Sequence, residues 1–360
     1  MEENETRKEG GIMATYCGVD FHARQQKVAY FESVTGEIQL KELKHQGDEV
    51  RQFYEQLPKP VIVGLEATGS SLWFEKLLGQ LGHEVWVGHA TEIRRRARSR
   101  QKNDWRDAEL CLDLMVKNEF PRIYRLSEES LEILRRLRYR HRLVKMRTIS
   151  RNGLHAIALS AGLSLKAKLL SKSGRSKLEV LELSPVCNEQ RREWLDLIDQ
   201  LNHRIARLES EIERIGGADP RVQLLRTHPG LGPLTALALV HTLEPVTRFS
   251  TSRNVTAFVG LEPREESSDE KVRWRGISKA GSRLLRFLLI EAAGTAIKYD
   301  EELRRFYFRL LHRRDWRKAK VAVARKLLVR AWIMLRDQID YAEFLKRGVA
   351  VGSVRKGHRL

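Results

Sequence analysis

The sequence predicts an α/β domain at the N-terminal end, a central helical coiled-coil segment, and a mostly α C-terminal domain. Three observations carry that division. Five short β-prone runs alternate with helix-like stretches between residues 15 and 88. Two long segments with apolar residues at helical spacing follow, from 127 to about 153 and from 188 to 215. The last third is again helical in pattern but is interrupted by glycine turns and a serine-bearing loop. The expected boundaries are a flexible tail over 1–14, the α/β domain over 15–125, the helical linker over 126–219, the second domain over 220–345 and a basic tail over 346–360.

In chain order, residues 15–20 form a β-prone run that ends in Asp20. Runs over 27–31 and 37–40 flank Thr35-Gly36, a plausible hairpin turn. Val50, Phe53, Tyr54 and Leu57 lie at helical spacing over 48–57, and Pro58 and Pro60 stop that helix. Residues 61–66 are apolar on both faces, which marks a central strand, and end in Glu66. Thr68-Gly69-Ser70 opens a helix through Leu78, and residues 83–87 make a fifth strand. A hairpin, then βαβαβ, then a helix is the order of the ribonuclease-H-like fold.

Charge narrows the partners. Lys and Arg total 66 against 47 Asp and Glu, a formal net charge of +19. Such a surplus points to a polyanion, because neutralising phosphates releases condensed counterions. No apolar run approaches the roughly 20 residues needed to span a bilayer, so no membrane partner is expected. The first residues are charged and have no apolar signal region, and Met13 is an alternative start. Cys17, Cys111 and Cys187 are far apart and lack metal-ligand spacing, which suits reduced thiols in a cytoplasm.

The chemistry-bearing residues are acids. Asp20 and Glu66 fall at strand ends that the fold order makes neighbours, and Asp104 and Asp107 open the next helix, three residues apart on one face. The plainer reading of the last two is that first-turn acids complement a helix dipole. Four converging carboxylates need cations, and two hard divalent ions would stabilise the attacking and leaving oxygens of a phosphodiester displacement. Magnesium is expected over zinc, since no His/Cys cluster accompanies the acids. His22 reads as an outer or surface group. Arg94, Arg95, Arg96, Arg98, Arg100 and Lys102 lie beside these acids, where phosphate must approach.

The central helices carry Leu131, Leu134, Leu137 and Leu143 on one and Ile198, Leu201, Ile205, Leu208 and Ile212 on the other, a two-helix coiled coil or an oligomer contact. Residues 171–176 read as an exposed loop between them, and Gly216-Gly217 ends the segment. In the last third, His228-Pro229-Gly230-Leu231-Gly232-Pro233 matches a helix–hairpin–helix turn, where Gly230 and Gly232 let backbone amides approach a phosphate. A polar loop holds Ser267 and Ser268, and Lys279, Arg283 and Arg286 add candidate nucleic-acid contacts near the next helix. Any of Ser267, Ser268, Ser278 or Ser282 also fits an ordinary loop or helix-capping role.

Taken together, Gly18-Val19-Asp20, Gly64-Leu65-Glu66 and Asp104-Trp105-Arg106-Asp107-Ala108 resemble the acid tetrad of the DEDD insertion-sequence transposases. Residues 228–236, Phe258-Val259-Gly260-Leu261-Glu262-Pro263-Arg264, 277–286 and 322–327 resemble that family's C-terminal transposase domain. The likeness runs from about residue 16 to residue 335. It implies a RuvC-like, ribonuclease-H-fold N-terminal domain and recombination of donor and target DNA guided by a structured non-coding bridge RNA. It implies Mg²⁺, with Mn²⁺ as a substitute, at Asp20, Glu66, Asp104 and Asp107, and a serine nucleophile that takes a 5′-phosphate. Position in the loop maps that serine to Ser268, with Ser267 second; the family usually shows Ser-Gly, whereas this chain has Ser268-Asp269. A site divided between two domains further implies a homo-oligomer, a dimer assembling to a tetramer, in a bacterial or archaeal cytoplasm at the nucleoid. The alternatives are a ribonuclease-H-fold nuclease or junction resolvase without serine chemistry, and a non-catalytic RNA- or DNA-binding protein.

Overall fold

The computed structural model describes residues 14–31, 36–97, 104–164, 168–268 and 271–356. The N-terminal tail, Thr35 of the expected hairpin turn, Arg98, Arg100, Lys102, Asp269 and the last four residues lie outside them. Contacts divide the chain into two compact units, Met1–Arg125 and Leu126–Leu360.

The first unit is a mixed α/β domain. Its strands are β1 (Thr15–Phe21), β2 (Gln25–Phe31), β3 (Ile38–Lys44), β4 (Val61–Glu66) and β5 (Glu84–Gly88). They lie in the order β3-β2-β1-β4-β5. The first three run antiparallel, while β4 and β5 are parallel to β1 and to each other. Helix α1 (Glu49–Gln56) precedes β4, α2 (Leu72–Gln80) precedes β5, and α3 (Ala90–Arg95) and α4 (Asp104–Val116) follow. Strand side chains alternate between faces. Cys17, Val19, Val63 and Leu65 accordingly share one core with Tyr54 of α1 and Phe74 and Leu78 of α2. Tyr16 and Ile62 pack on the opposite face with Trp86, Cys111, Leu114 and Met115.

That second face carries the feature which places the site. Gly18 and Gly64 pair across β1 and β4. A Cβ on Gly18 would lie 2.3 Å from the Ala108 carbonyl oxygen, and one on Gly64 would lie 2.2 Å from Met115 Sδ. Glycine at 18 therefore lets the α4 backbone rest on β1, and glycine at 64 leaves room on β4 for the Met115 side chain. Two residues further along each strand, on the same face, come Asp20 and Glu66.

The second unit is mostly helical. Helix α5 (Glu128–Ser160) and α7 (Pro185–Ala218) run antiparallel, joined by Arg136–Glu211 and Arg140–Glu209 ion pairs and by Arg147 donating to Asn202 at 2.9 Å. Leu143 meets Leu201, Ile205 and Leu208 between them. The heptad-like stripe of α7 is thus covered within the chain. Helix α5 runs on past residue 153, as the helical pattern after it suggests, and stops just before Gly162, whereas Gly216 and Gly217, expected to end the second long helix, lie inside α7.

Residues 171–176, expected as a loop, instead begin helix α6 (Lys172–Glu179). The Ser171 hydroxyl caps it by accepting from the Gly174 amide, and Leu178 is buried against Leu154, Leu169 and Ile198. One buried leucine and a cap suffice where no apolar periodicity is visible.

Helices α8 (Pro220–Arg226), α9 (Pro233–Leu243) and α10 (Ser252–Val259) lead to a hairpin, β6 (Pro263–Ser268) with β7 (Lys271–Ile277). The stretch expected as a polar serine loop is therefore paired strand. Helices α11 (Arg283–Tyr299), α12 (Glu301–Leu311), α13 (Trp316–Asp337) and α14 (Tyr341–Lys356) complete the unit, the last taking in most of the expected basic tail. One core joins Ile133, Leu134 and Leu137 of α5 and Ile212 of α7 to α8, α9, α11 and α13. Each fully buried aliphatic side chain there contributes about 1.5–3 kcal/mol.

Candidate metal centre

Parity and register bring the four sequence-predicted acids to one end of the first unit's sheet. Val19 pairs with Leu65, so Asp20 and Glu66 leave adjacent parallel strands side by side, both on the α4 face. Asp104 and Asp107 occupy the first turn of α4, which the glycine pair holds against those strands. Burial pushes the Asp20 carboxyl above the usual carboxylate range; a His22 interaction opposes this, and Asp107 and Asp104 reinforce it. The buried Cys111 thiol, raised chiefly by burial, also feels Asp20, Glu66 and Asp107. Among the described residues, the ligand atoms close enough together for one ion belong to Asp20, His22 and Asp104, without Glu66 or Asp107.

Three cationic or ligating side chains meet them. His22 Nε2 lies 2.9 Å from Asp20 Oδ2 and 3.6 Å from Asp104 Oδ2. Lys27 Nζ is 3.4 Å from Asp104 Oδ2 and 4.8 Å from the Trp105 ring centroid. Arg94 donates to Glu66 Oε1 at 3.2 Å. Lys27 stands directly across β2 from Asp20 in the strand register, a relation that residue spacing alone does not reveal. Lys27 and Arg94 each set a positive charge against one of these carboxylates. Asp20, His22 and Asp104 each offer a ligand atom, and these lie within 4.8 Å of one another. A donor set of carboxylate oxygens with at most one imidazole suits a hard cation of the Mg²⁺ or Mn²⁺ kind.

Of the basic residues expected to receive phosphate, the three that lie among the described residues are engaged otherwise here. Arg94 pairs with Glu66, Arg95 with Glu92, and Arg96 donates to the Glu119 carbonyl. Of these three, Arg94 is the one paired with a member of the acid cluster.

In the second unit, Ser267 and Ser268 are the last residues of β6, Ser268 pairing with Lys271 across the tip. Ser282 is a helix cap, its hydroxyl accepting from the Leu285 amide. Gly230 has φ +105°, and a Cβ there would come within 2.9 Å of Ala296 on α11. Its glycine thus serves helix packing, while Gly232 faces open space at the start of α9. Lys279 is exposed at φ +60°, Arg283 is exposed, and Arg286 donates to the carbonyls of Val259 and Ala280, bracing the turn before α11.

A basic chain with two acids at adjacent strand ends and two more in the first turn of the helix that crosses them has the acid pattern of the DEDD-type enzymes that act on nucleic acid. Residues 17–161 match the DEDD transposase domain of the IS110 type, and residues 222–308 match the Transposase IS116/IS110/IS902 family. A "probable family 20 transposase" of Pseudomonas aeruginosa is 30% identical over 307 residues, covering 81% of this chain and 89% of that one. The transposase for insertion sequence element IS1111A of Coxiella burnetii is 28% identical, covering 76% of this chain and 77% of its own. A pilin gene-inverting protein of Moraxella bovis is 25% identical over 48% of this chain and 53% of its own. The chain belongs to the IS110 family of insertion-sequence transposases, enzymes that act on DNA and whose DEDD domain points to divalent-metal use.

Proposed function

We propose that this transposase cuts and rejoins DNA strands with Mg²⁺ held at Asp20, Glu66, Asp104 and Asp107 on a RuvC-like, ribonuclease-H-type domain. The convergence of those acids from β1, β4 and the first turn of α4 carries the reading. The strand order supports the fold assignment. Bound metal would stabilise charge on the phosphate oxygens. His22 and Lys27 hold the Asp20 and Asp104 carboxylates in place, and Arg94 holds Glu66.

Ser268 is the proposed nucleophile, with Ser267 the second candidate. Its hydroxyl oxygen attacks phosphorus, the bond to the 3′-oxygen breaks, and the serine proton ends on that leaving oxygen. The 5′-phosphoserine keeps the bond energy, so a second 3′-hydroxyl can displace the serine and rejoin a strand without an energy-rich cofactor. A structured bridge RNA chooses donor and target, and a dimer assembling to a tetramer brings the strands together. The net charge of +19 supports a nucleic-acid load of this size.

The test is strand joining on DNA carrying the element's ends, with Mg²⁺ and RNA co-purified from the host. Asp104→Asn should lower joining by on the order of 10³-fold or more without loss of fold. Ser268→Ala should abolish a covalent protein–DNA adduct. Joining that survives Asp104→Asn sinks the metal reading, and cutting without any adduct in the unaltered protein favours a plain nuclease. Sequencing the bound RNA decides guidance: random cellular RNA removes it.

A further inference from the structure

The basic residues of α5 fall into two groups. Arg136, Arg140 and Arg147 face α7 and bind Glu211, Glu209 and Asn202. Arg138, Arg142 and Lys145 lie on the opposite side, at spacings that keep them on one helical face. Among the described residues none of these three has an acidic partner, and all are exposed. His141 sits among them. Its ring meets Phe287 of α11, with centroids 4.8 Å apart and planes inclined at 52°. Phe287, in the second turn of α11, is 44% exposed and so presents its ring to solvent beside that imidazole. Arg283, one turn before Phe287, is exposed and also lacks an acidic partner among the described residues.

From this juxtaposition we propose that Phe287 and His141 form a stacking platform for an unpaired base, with Arg138, Arg142, Lys145 and Arg283 binding the flanking phosphates. The chemistry favours a single strand over other occupants. Every base has a π-face that can lie on an aromatic ring, but a duplex already has its bases stacked and offers only phosphate to such a patch. Burial, together with Lys145, Arg140 and Arg283, pushes the His141 pKa below its usual value, which favours the neutral imidazole beside phenylalanine. The four free cations supply the counterion-releasing component that a backbone requires. This inference rests on the nucleic-acid reading above but not on the acid cluster. The strand is either the displaced DNA or an unpaired segment of RNA, which share this chemistry.

The full chain is titrated with fluorescein-labelled oligo(dT), oligo(rU), an abasic strand of equal length and a duplex, at several salt concentrations. Base-bearing strands should bind more tightly than the abasic strand, and Phe287→Ala should erase that advantage, a loss of roughly 5- to 100-fold. Phe287→Trp should restore it, with fluorescence quenched on binding. Arg283→Ala should weaken all four ligands alike and reduce the salt slope by about one. Irradiating a 5-iodouracil-substituted strand should crosslink it to the peptides holding His141 or Phe287. Whichever of oligo(dT) and oligo(rU) is more sensitive to Phe287→Ala identifies the source of the strand. Equal affinity of the unaltered protein and a melting-competent Phe287→Ala variant for every base-bearing strand overturns the platform while leaving the acid-site reading intact. Failure of the unaltered protein to bind any of the four ligands overturns both.

Discussion

Two clusters of ionisable side chains, one in each unit, show opposite designs. In the second unit, His228, Asp300 and Arg330 are sealed, with side chains 0%, 1% and 6% exposed. Arg330 donates to Asp300 at 2.5 Å and to Glu302 at 2.6 Å, and Tyr341 donates to Asp300 at 2.5 Å. The His228 ring packs on Tyr341 with centroids 4.4 Å apart, and its Nδ1 lies 2.8 Å from the Pro229 carbonyl. Charges there are matched and the group ties the turn before α9 to α12, α13 and α14. In the first unit Asp20, Glu66 and Asp104 are partly open to solvent, with side chains 19%, 35% and 36% exposed, and Asp20 and Asp104 share the one imidazole of His22. A cluster that satisfies itself has nothing left for a ligand. One that does not satisfy itself is maintained at some cost in stability, and that is where chemistry is to be sought.

The contrast can be broken at its strongest point first. Arg330→Met leaves Asp300 buried without its cation and should cost about 3–5 kcal/mol, read as a drop in the denaturant midpoint; a loss under about 1 kcal/mol would show the cluster is not sealed in solution. Next comes pH. The His228 pKa is pushed down to about 4, first by burial, against a usual value near 6.5. On acidification the unfolded chain therefore takes up this proton first. The stability this histidine contributes is complete above about 6.5 and is lost as pH falls toward 4, by about 3 kcal/mol. Denaturation at stepped pH should show that slope, and His228→Asn should flatten it. The smallest effect belongs to the open cluster. Asp104→Asn, for all its effect on joining, should move stability by less than about 1 kcal/mol, because it relieves repulsion as it removes the Lys27 contact; a large fall in melting temperature would make the acids structural.

Much of the first cluster is legible in the sequence because each acid sits at a readable boundary. Asp20 and Glu66 end apolar strands, and Asp104 and Asp107 begin an amphipathic helix. Less visible is why Gly18 and Gly64 precede them by two residues; a strand glycine shows its purpose only when the helix above it is seen. Lys27 and the closeness of His22 depend on cross-strand register, which a hairpin turn sets and spacing does not. The sealed cluster leaves no periodic trace at all. Its members come from positions 228, 300, 330 and 341, brought together only by the packing of five helices. Helix α6 hides for a related reason: Ser, Lys and Gly read as loop until one cap and one buried leucine are known.

The antiparallel pair α5 and α7 also has a length set by residue count. With 33 and 34 residues, each helix is about 50 Å long, close to fifteen base-pair steps of duplex at about 3.4 Å each. Length in such a strut is quantised. Seven residues added to both helices would extend it by about 10 Å and nearly preserve which faces meet. Two added to one alone, a rotation of about 200°, would turn the Arg138–Lys145 face away from Phe287. The reach of this transposase is thus written as a residue count, and only some counts keep its surfaces in phase.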